Sequence, residues 1–166
     1  MSSADARGAA ERFRAVMRRF PTGVTIVTTV LDGRLKGFTA TAVASVSVDP
    51  PRVLVCVNRL ARTHPIVSQA RHFCVNLLTV EQERLARVFA SKLPEDPFRT
   101  IPHHVDVTGS PVIDGCLAHL DCELAEEYSA GTHTIFIGDV VACAAGRGAP
   151  LGYFNAAYRD FGVRVE

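Results

Sequence analysis

The sequence carries almost no net charge: 18 Lys and Arg against 17 Asp and Glu leave +1 at neutral pH. The basic residues are scattered, so no face is built to neutralise a nucleic-acid backbone, and no nucleic acid is expected as a partner. No apolar run approaches the ~20 residues that cross a bilayer, so no membrane partner is expected either. The first sixteen residues, MSSADARGAAERFRAV, lack the apolar core of a secretory leader. The five cysteines are odd in number and widely spaced, with no CxxC. That pattern fits reduced thiols and a cytoplasmic location better than a disulfide framework. No GxGxxG follows a strand, and Gly146-Arg147-Gly148 opens no helix, so a dinucleotide would have to bind without the doubly wound fingerprint. There is no Walker loop and no serine nucleophile elbow. Cys116, His119 and Cys122 have a zinc-like spacing, but alternation along a strand puts His119 on the face opposite the two thiols. With no fourth ligand nearby, no metal is expected.

What is present is a single domain. At 166 residues and 48% hydrophobic content the chain can bury a real core. Residues 1–10 read as a loose tail and 11–166 as the domain. Phe13, Val16, Met17 and Phe20 recur at helical spacing and predict an amphipathic helix ending near Pro21. Gly23–Thr29 is β-branched and reads as a strand. Asp32-Gly33 predicts a hairpin turn. Arg52–Asn58 reads as a strand buried on both faces, Thr63 as an N-cap with Pro65 in the first helical turn, and His72–Leu78 as a strand. Thr79 to Gln82 matches a capping box, with Leu85, Val88 and Phe89 as the buried stripe of the helix it starts. Residues 91–110 read as a long loop. Two long strands, 116–128 and 133–145, and an aromatic segment, 152–161, close the chain. Strands outnumber helices at short intervals, which predicts a mainly β, closed or sandwiched structure with helices at its rim.

The unusual stretch is GFTATAVASVSVDPP, Gly37 to Pro51. It predicts a return strand of small apolar and hydroxyl residues, stopped by Asp49-Pro50-Pro51. A strand made to fill a core would carry Ile, Leu and Phe. This one admits a large planar ligand close to the main chain, within reach of its N–H, C=O and hydroxyl groups. Other candidates are open to two readings. His133, at the mouth of a strand, either orients a ligand or is a structural residue. Asn76, alone in an apolar strand, bonds either buried backbone or a ligand. Arg59, Arg62 and Thr63 either hold a phosphate at a helix start or form a solvated loop. Tyr153, Phe154 and Tyr158 either cover a ligand or pack the C-terminus.

Several segments in order carry a resemblance: FPTGVTIVTT, GFTATAVASVSVDPP, VLVCVNR with a downstream Thr-His, FCVNLL, a helix ending VFA, GSPVIDG, GTHTIFIGDV and YFNAAYR. From Phe13 to Arg159 the chain resembles the flavin reductase family, the small partners of two-component flavin monooxygenases. The resemblance implies a split β-barrel of Greek-key type that works as a homodimer. It implies reduction of FMN or FAD by NADH or NADPH and a partner monooxygenase. It also implies site residues. Thr39, Ala40, Thr41 and Ala42 would line the flavin ring. Ser45, Val46 and Ser47, with Cys56, Val57, Asn58, Arg59 and Thr63, would hold its edge, ribityl chain and phosphate, with Asn76 as a further candidate. Phe89, Ala90 and Ser91 would close over the flavin tail. His133 would lie near the nicotinamide, helped by Tyr153, Phe154 and Tyr158. The family often has Asp before this histidine, whereas Thr132 stands here. Two alternatives follow from the same residues: a split-barrel flavoprotein that reduces a corrinoid or ferric complex, and a non-enzymatic flavin- or haem-binding module.

Overall fold

The computed structural model describes residues 3–91 and 96–163. Chain order begins with α1 (Ser3–Met17), a two-residue strand β1 (Thr22–Gly23), β2 (Thr25–Leu31) and β3 (Arg34–Ala40). It continues through β4 (Val43–Val48), β5 (Pro51–Asn58), α2 (His64–Ala70), β6 (His72–Leu77) and α3 (Glu83–Ala90). Short strands β7 (His103–Val105) and β8 (Pro111–Ile113) follow. The long pair β9 (Ala118–Ala130) and β10 (His133–Ala145) and the hairpin β11 (Leu151–Phe154) and β12 (Ala157–Asp160) end it. Seven strands form one antiparallel sheet in the order β3-β2-β6-β9-β10-β5-β4, and β1, β11 and β12 form a small second sheet.

The predicted single return strand is in fact two. It breaks at Thr41-Ala42, and its halves, β3 and β4, lie at opposite edges of the seven-stranded sheet. The link sets the architecture. Three Cα–Cα steps of 3.8 Å join Ala40 to Val43, so the two edges approach within about 11 Å. A sheet whose outermost strands must meet has to roll up. Among the described residues no ladder joins β3 to β4, so the roll is closed in shape but split along a seam. This is a split barrel.

Local sequence explains most elements. Asp32 and Gly33 both adopt positive φ (51° and 73°) and join β2 to β3 through a two-residue turn of the kind that matches strand twist. The Thr79 N–H donates to Gln82 Oε1 in the predicted capping box ahead of α3. Thr63 does occupy the N-cap position of α2, but its side chain makes no capping bond. Burial alternates along β5: Val53, Val55 and Val57 enter the core, whereas Leu54 and Cys56 are only half-buried. The expectation of burial on both faces is therefore corrected for β5. The strand that meets it is β2, buried continuously from Thr25 to Thr29. Val27 points into the barrel beside Phe73 and Phe136, and Ile26 points outward beneath Leu78, Ala86 and Phe89.

Two further expectations change. Residues 3–10, read as a loose tail, belong to α1, which ends at Met17, and its apolar residues are not buried: Phe13 and Val16 are 66% and 67% exposed. The segment read as a structureless loop contains a turn of 3-10 helix at Pro97–Arg99 and the β7–β8 pair; residues 92–95 lie outside the described residues. This segment is held by buried polar groups. Thr108 Oγ1 donates to Asp121 Oδ1 (2.5 Å), and Asp121 is fully buried. Such a carboxylate tolerates burial because its partners replace water.

Candidate functional site

The seam between β3 and β4 opens into a cavity of about 1030 Å³, as large as the upper range of small-molecule sites. Thr41, Ala42 and Ser45 form one wall, and Leu54 and Cys56 of β5 continue it. Tyr153 and Phe154 of β11 and Phe13 and Met17 of α1 also line the cavity. The small residues at 41, 42 and 45 keep the first wall thin, as the sequence predicts.

The wall is also polar in a specific way. β4 is an edge strand, paired only with β5 among the described residues. The Cys56 N–H donates to Ala42 O (3.0 Å), which makes Ala42 and Cys56 a hydrogen-bonded pair. In an antiparallel ladder such pairs alternate with pairs whose groups point outward. The N–H and C=O of Val43 and Ser45 therefore face away from β5, at the open edge of the seam. Thr22, also in the cavity wall, carries a buried hydroxyl without a hydrogen-bond partner among the described residues. Burial pushes the Cys56 thiol up from its ordinary value, so it is a neutral group at pH 7 and not a nucleophilic thiolate.

A second recess, of about 680 Å³, adjoins the first. Asn58, Arg59, Thr132 and His133 line it, and Phe13 and Arg14 border both spaces. Antiparallel pairing of β5 with β10 sets His133 opposite Asn58. His133 Nδ1 lies 2.9 Å from the Thr132 hydroxyl, which stands where a carboxylate was in doubt. The Arg59 guanidinium donates to Gly131 O, and the Arg59 main-chain N–H donates to Thr132 O.

Several sequence candidates lie elsewhere. Asn76 is fully buried and saturated: its amide donates to Ile26 O (3.1 Å), Thr28 Oγ1 (3.1 Å) and Pro111 O (3.3 Å), and its oxygen accepts from Ile113 N–H (2.7 Å). Its partners are backbone groups and the Thr28 hydroxyl, which leaves none of its polar atoms for a ligand. Thr39 turns to α3 and donates to Ala86 O (2.6 Å). Ala40 and Val57 are core residues. Phe89 packs on Phe98 (5.3 Å between centroids) over Gly37, while Ala90 and Ser91 are exposed at the end of α3. Val46 is bulged out of the β4–β5 register, and the Ser47 hydroxyl donates to Asp49 O. Thr63 starts α2. Tyr158 stands behind Tyr153 (5.5 Å), beneath the Arg87 guanidinium (4.9 Å), and does not line the cavity. Sequence reasoning missed Phe13, Arg14, Met17 and Leu54 as wall residues. Phe13 and Met17 were legible only as one side of an amphipathic helix and Leu54 only as part of a buried strand, and nothing local shows that α1 reaches the cavity.

Residues 17–162 match the flavin reductase like domain. The chain belongs to the flavin reductase family. Over 149 residues it is 40% identical to the reductase component of 4-nitrophenol 4-monooxygenase/4-nitrocatechol 2-monooxygenase of Rhodococcus opacus, spanning 90% of this chain and 80% of that protein. It is 41% identical over 133 residues to the FMN reductase (NADH) RutF of Stutzerimonas stutzeri, spanning 80% and 76%. Its fold matches the NADH:FAD oxidoreductase SgcE6 of Streptomyces globisporus, solved with NAD and FAD fragments, with a TM-score of 0.87 at 35% identity, over 92% and 93% of the two chains. The reductase fits a flavin on structural grounds: a thin wall, an open strand edge with unmet donors and acceptors, and a lining that includes Leu54, Tyr153 and Phe154.

Proposed function

We propose that this flavin reductase binds FMN or FAD in the seam cavity, reduces it with NADH or NADPH, and releases the reduced flavin to a separate monooxygenase component. The observation that carries this reading is the open edge of β4 beside a largely apolar cavity of about 1030 Å³. Flavin, when bound, supplies the acceptor for a hydride delivered from a nicotinamide. The protein's part is binding and orientation. Val43 and Ser45 offer outward N–H and C=O groups, and Thr41 and Ser45 offer hydroxyls, to the polar rim of the ring. Such fixed donors favour charge that develops on reduction. Ala42 keeps the approach clear. Tyr153 and Phe154 exclude water from the cavity. His133, at the mouth of the neighbouring recess, orients the donor and needs no role as a base. Cys56, held neutral, contributes bulk and a weak donor.

Relatives named as monooxygenase reductase components favour a delivery role over reduction of a corrinoid or ferric complex, or a binding module without activity. The exposed stripe of Phe13, Val16, Met17 and Phe20 supports a homodimer, because a second copy would remove that apolar surface from water. Free cysteines throughout, and no helix long and apolar enough to cross a membrane among the described residues, fit a cytoplasmic protein. The deciding experiment is anaerobic addition of NADH or NADPH to protein with excess free flavin. Bleaching of the yellow absorbance through many turnovers is expected. Absence of bleaching with both donors and both flavins would sink the proposal.

A further inference from the structure

A chain of four side chains runs from α3 to the wall of the seam cavity. Its first member is Glu83, whose carboxylate accepts from Arg87 Nε (2.9 Å) and Nη2 (2.6 Å) one turn further along α3. The Arg87 guanidinium lies over the Tyr158 ring, 4.9 Å from its centroid. Antiparallel pairing of β11 with β12 sets Tyr158 directly opposite Tyr153. Residues so paired project from one face of a sheet, within reach of each other when they are aromatic. The two rings meet edge to face, with 5.5 Å between centroids and 66° between planes. Tyr153 lines the cavity and Tyr158 does not. The Tyr153 hydroxyl has no hydrogen-bond partner among the described residues, so packing alone sets the angle of its ring. The hairpin beneath has little freedom. Phe161 lies against Gly152, where a Cβ would collide with its ring. At the turn, the Asn155 N–H donates to Arg18 O (2.9 Å).

We propose that Tyr158 and Arg87 are positioning residues, which fix the Tyr153 ring against a flat heteroaromatic ring bound in the seam cavity. This rests on the reductase reading above. Flavin and nicotinamide both carry such a ring. An edge-to-face pair favours one orientation of Tyr153 by a factor of roughly three to ten. Affinity falls in proportion to the fraction of molecules that hold the competent orientation.

The test is a double-mutant cycle. The flavin dissociation constant, from fluorescence quenching, and the KM for NADH at saturating FMN are measured for the wild type, Tyr158→Leu, Tyr158→Phe, Tyr153→Leu and the Tyr153→Leu, Tyr158→Leu double variant. A melting curve on each sample establishes folding. Tyr158→Leu raises one or both constants by roughly three- to tenfold, and the constant that moves identifies the ring that Tyr153 meets. Tyr158→Phe keeps the aromatic pair and the wild-type values. With Tyr153 already replaced, Tyr158→Leu changes neither constant further. Both constants unmoved in Tyr158→Leu, or a rise of the same size in the Tyr153→Leu background, overturns the proposal. Should Tyr158→Leu fail to fold, Arg87→Gln runs the same cycle from a side chain that is 65% exposed, with a rise of about threefold. Should the wild type neither bind flavin nor oxidise NADH, the reductase reading fails separately. The Tyr153 ring is then followed by NMR in Arg87→Gln, where its signals shift or broaden; signals unchanged in position and width refute the positioning role.

Discussion

Replacing Ala42 with leucine separates the ligand wall from the fold. Ala42 is exposed, lies in the two-residue link between β3 and β4, and lines the seam cavity. Its carbonyl keeps the bond from Cys56 N–H whatever the side chain. An exposed position away from the core changes stability by about 0.5 kcal/mol or less, which moves the melting temperature by no more than about 2 °C in a domain of this size. The ligand has no such freedom. Three added carbons hold a flat ring off the strand by roughly one van der Waals diameter, ~3.5–4 Å. Hydrogen bonds from the outward groups of Val43 and Ser45 are then out of reach. Loss of two such bonds, at about 1–1.5 kcal/mol each, gives about 2–3 kcal/mol, or roughly a 30- to 150-fold rise in flavin dissociation constant. The assay is quenching of flavin fluorescence, with a melting curve on the same sample. Val48→Leu, at the far end of the same strand and 87% exposed, is the control and binds as wild type. A folded Ala42→Leu protein that binds flavin within about threefold of wild type would show that the ring does not lie along β4.

Asn76→Ala leaves the buried Ile113 N–H without its side-chain acceptor and removes one donor each from Ile26 O, Thr28 Oγ1 and Pro111 O. It costs about 3 kcal/mol, seen as a fall in melting temperature of roughly 6–12 °C, while the folded protein binds flavin normally; a large loss of flavin affinity would contradict the structural role. His133→Ala raises the KM for the nicotinamide far more than the flavin dissociation constant, and parallel changes in both would remove His133 from the donor side. Burial lowers the His72 pKa below its ordinary value, with nearby Asp121 and Glu123 opposing the shift. The unfolded state therefore binds the proton more readily. The His72 contribution is present above the ordinary histidine value near 6.5 and is lost as pH falls from there through the folded value. Urea midpoints decrease over that window in the wild type, and the slope flattens in His72→Gln; identical slopes would place the dependence elsewhere.

Legibility from the sequence followed the range of the interactions. The Asp32-Gly33 turn and the capping box of Thr79 and Gln82 are contacts within a few residues, and both stand as read. Thr41, Ala42 and Ser45 were legible as a thin wall because absence of bulk is itself a local property. Asn76 was legible as a polar group in need of partners, but those partners come from β2 and from residues 111–113, fifty and thirty-seven positions away at the extremes. Thr39 likewise found its acceptor on α3, forty-seven residues on. The stripe on α1 misled for a related reason. Helical spacing shows that Phe13, Val16, Met17 and Phe20 share a side, not what that side meets.

The sequence alone determined the strand-rich class, the small-residue stretch and, through an ordered set of segments, the family. Each depends on composition or on short-range spacing, which the linear chain already contains. Tertiary structure decided that the stretch breaks at Thr41-Ala42 into strands at opposite edges of one sheet. It also decided which hydroxyls and amides serve the fold and which main-chain groups of Val43 and Ser45 stay open. Those outcomes depend on the rolling of seven strands around a core, where every donor and acceptor finds the partner that packing brings to it.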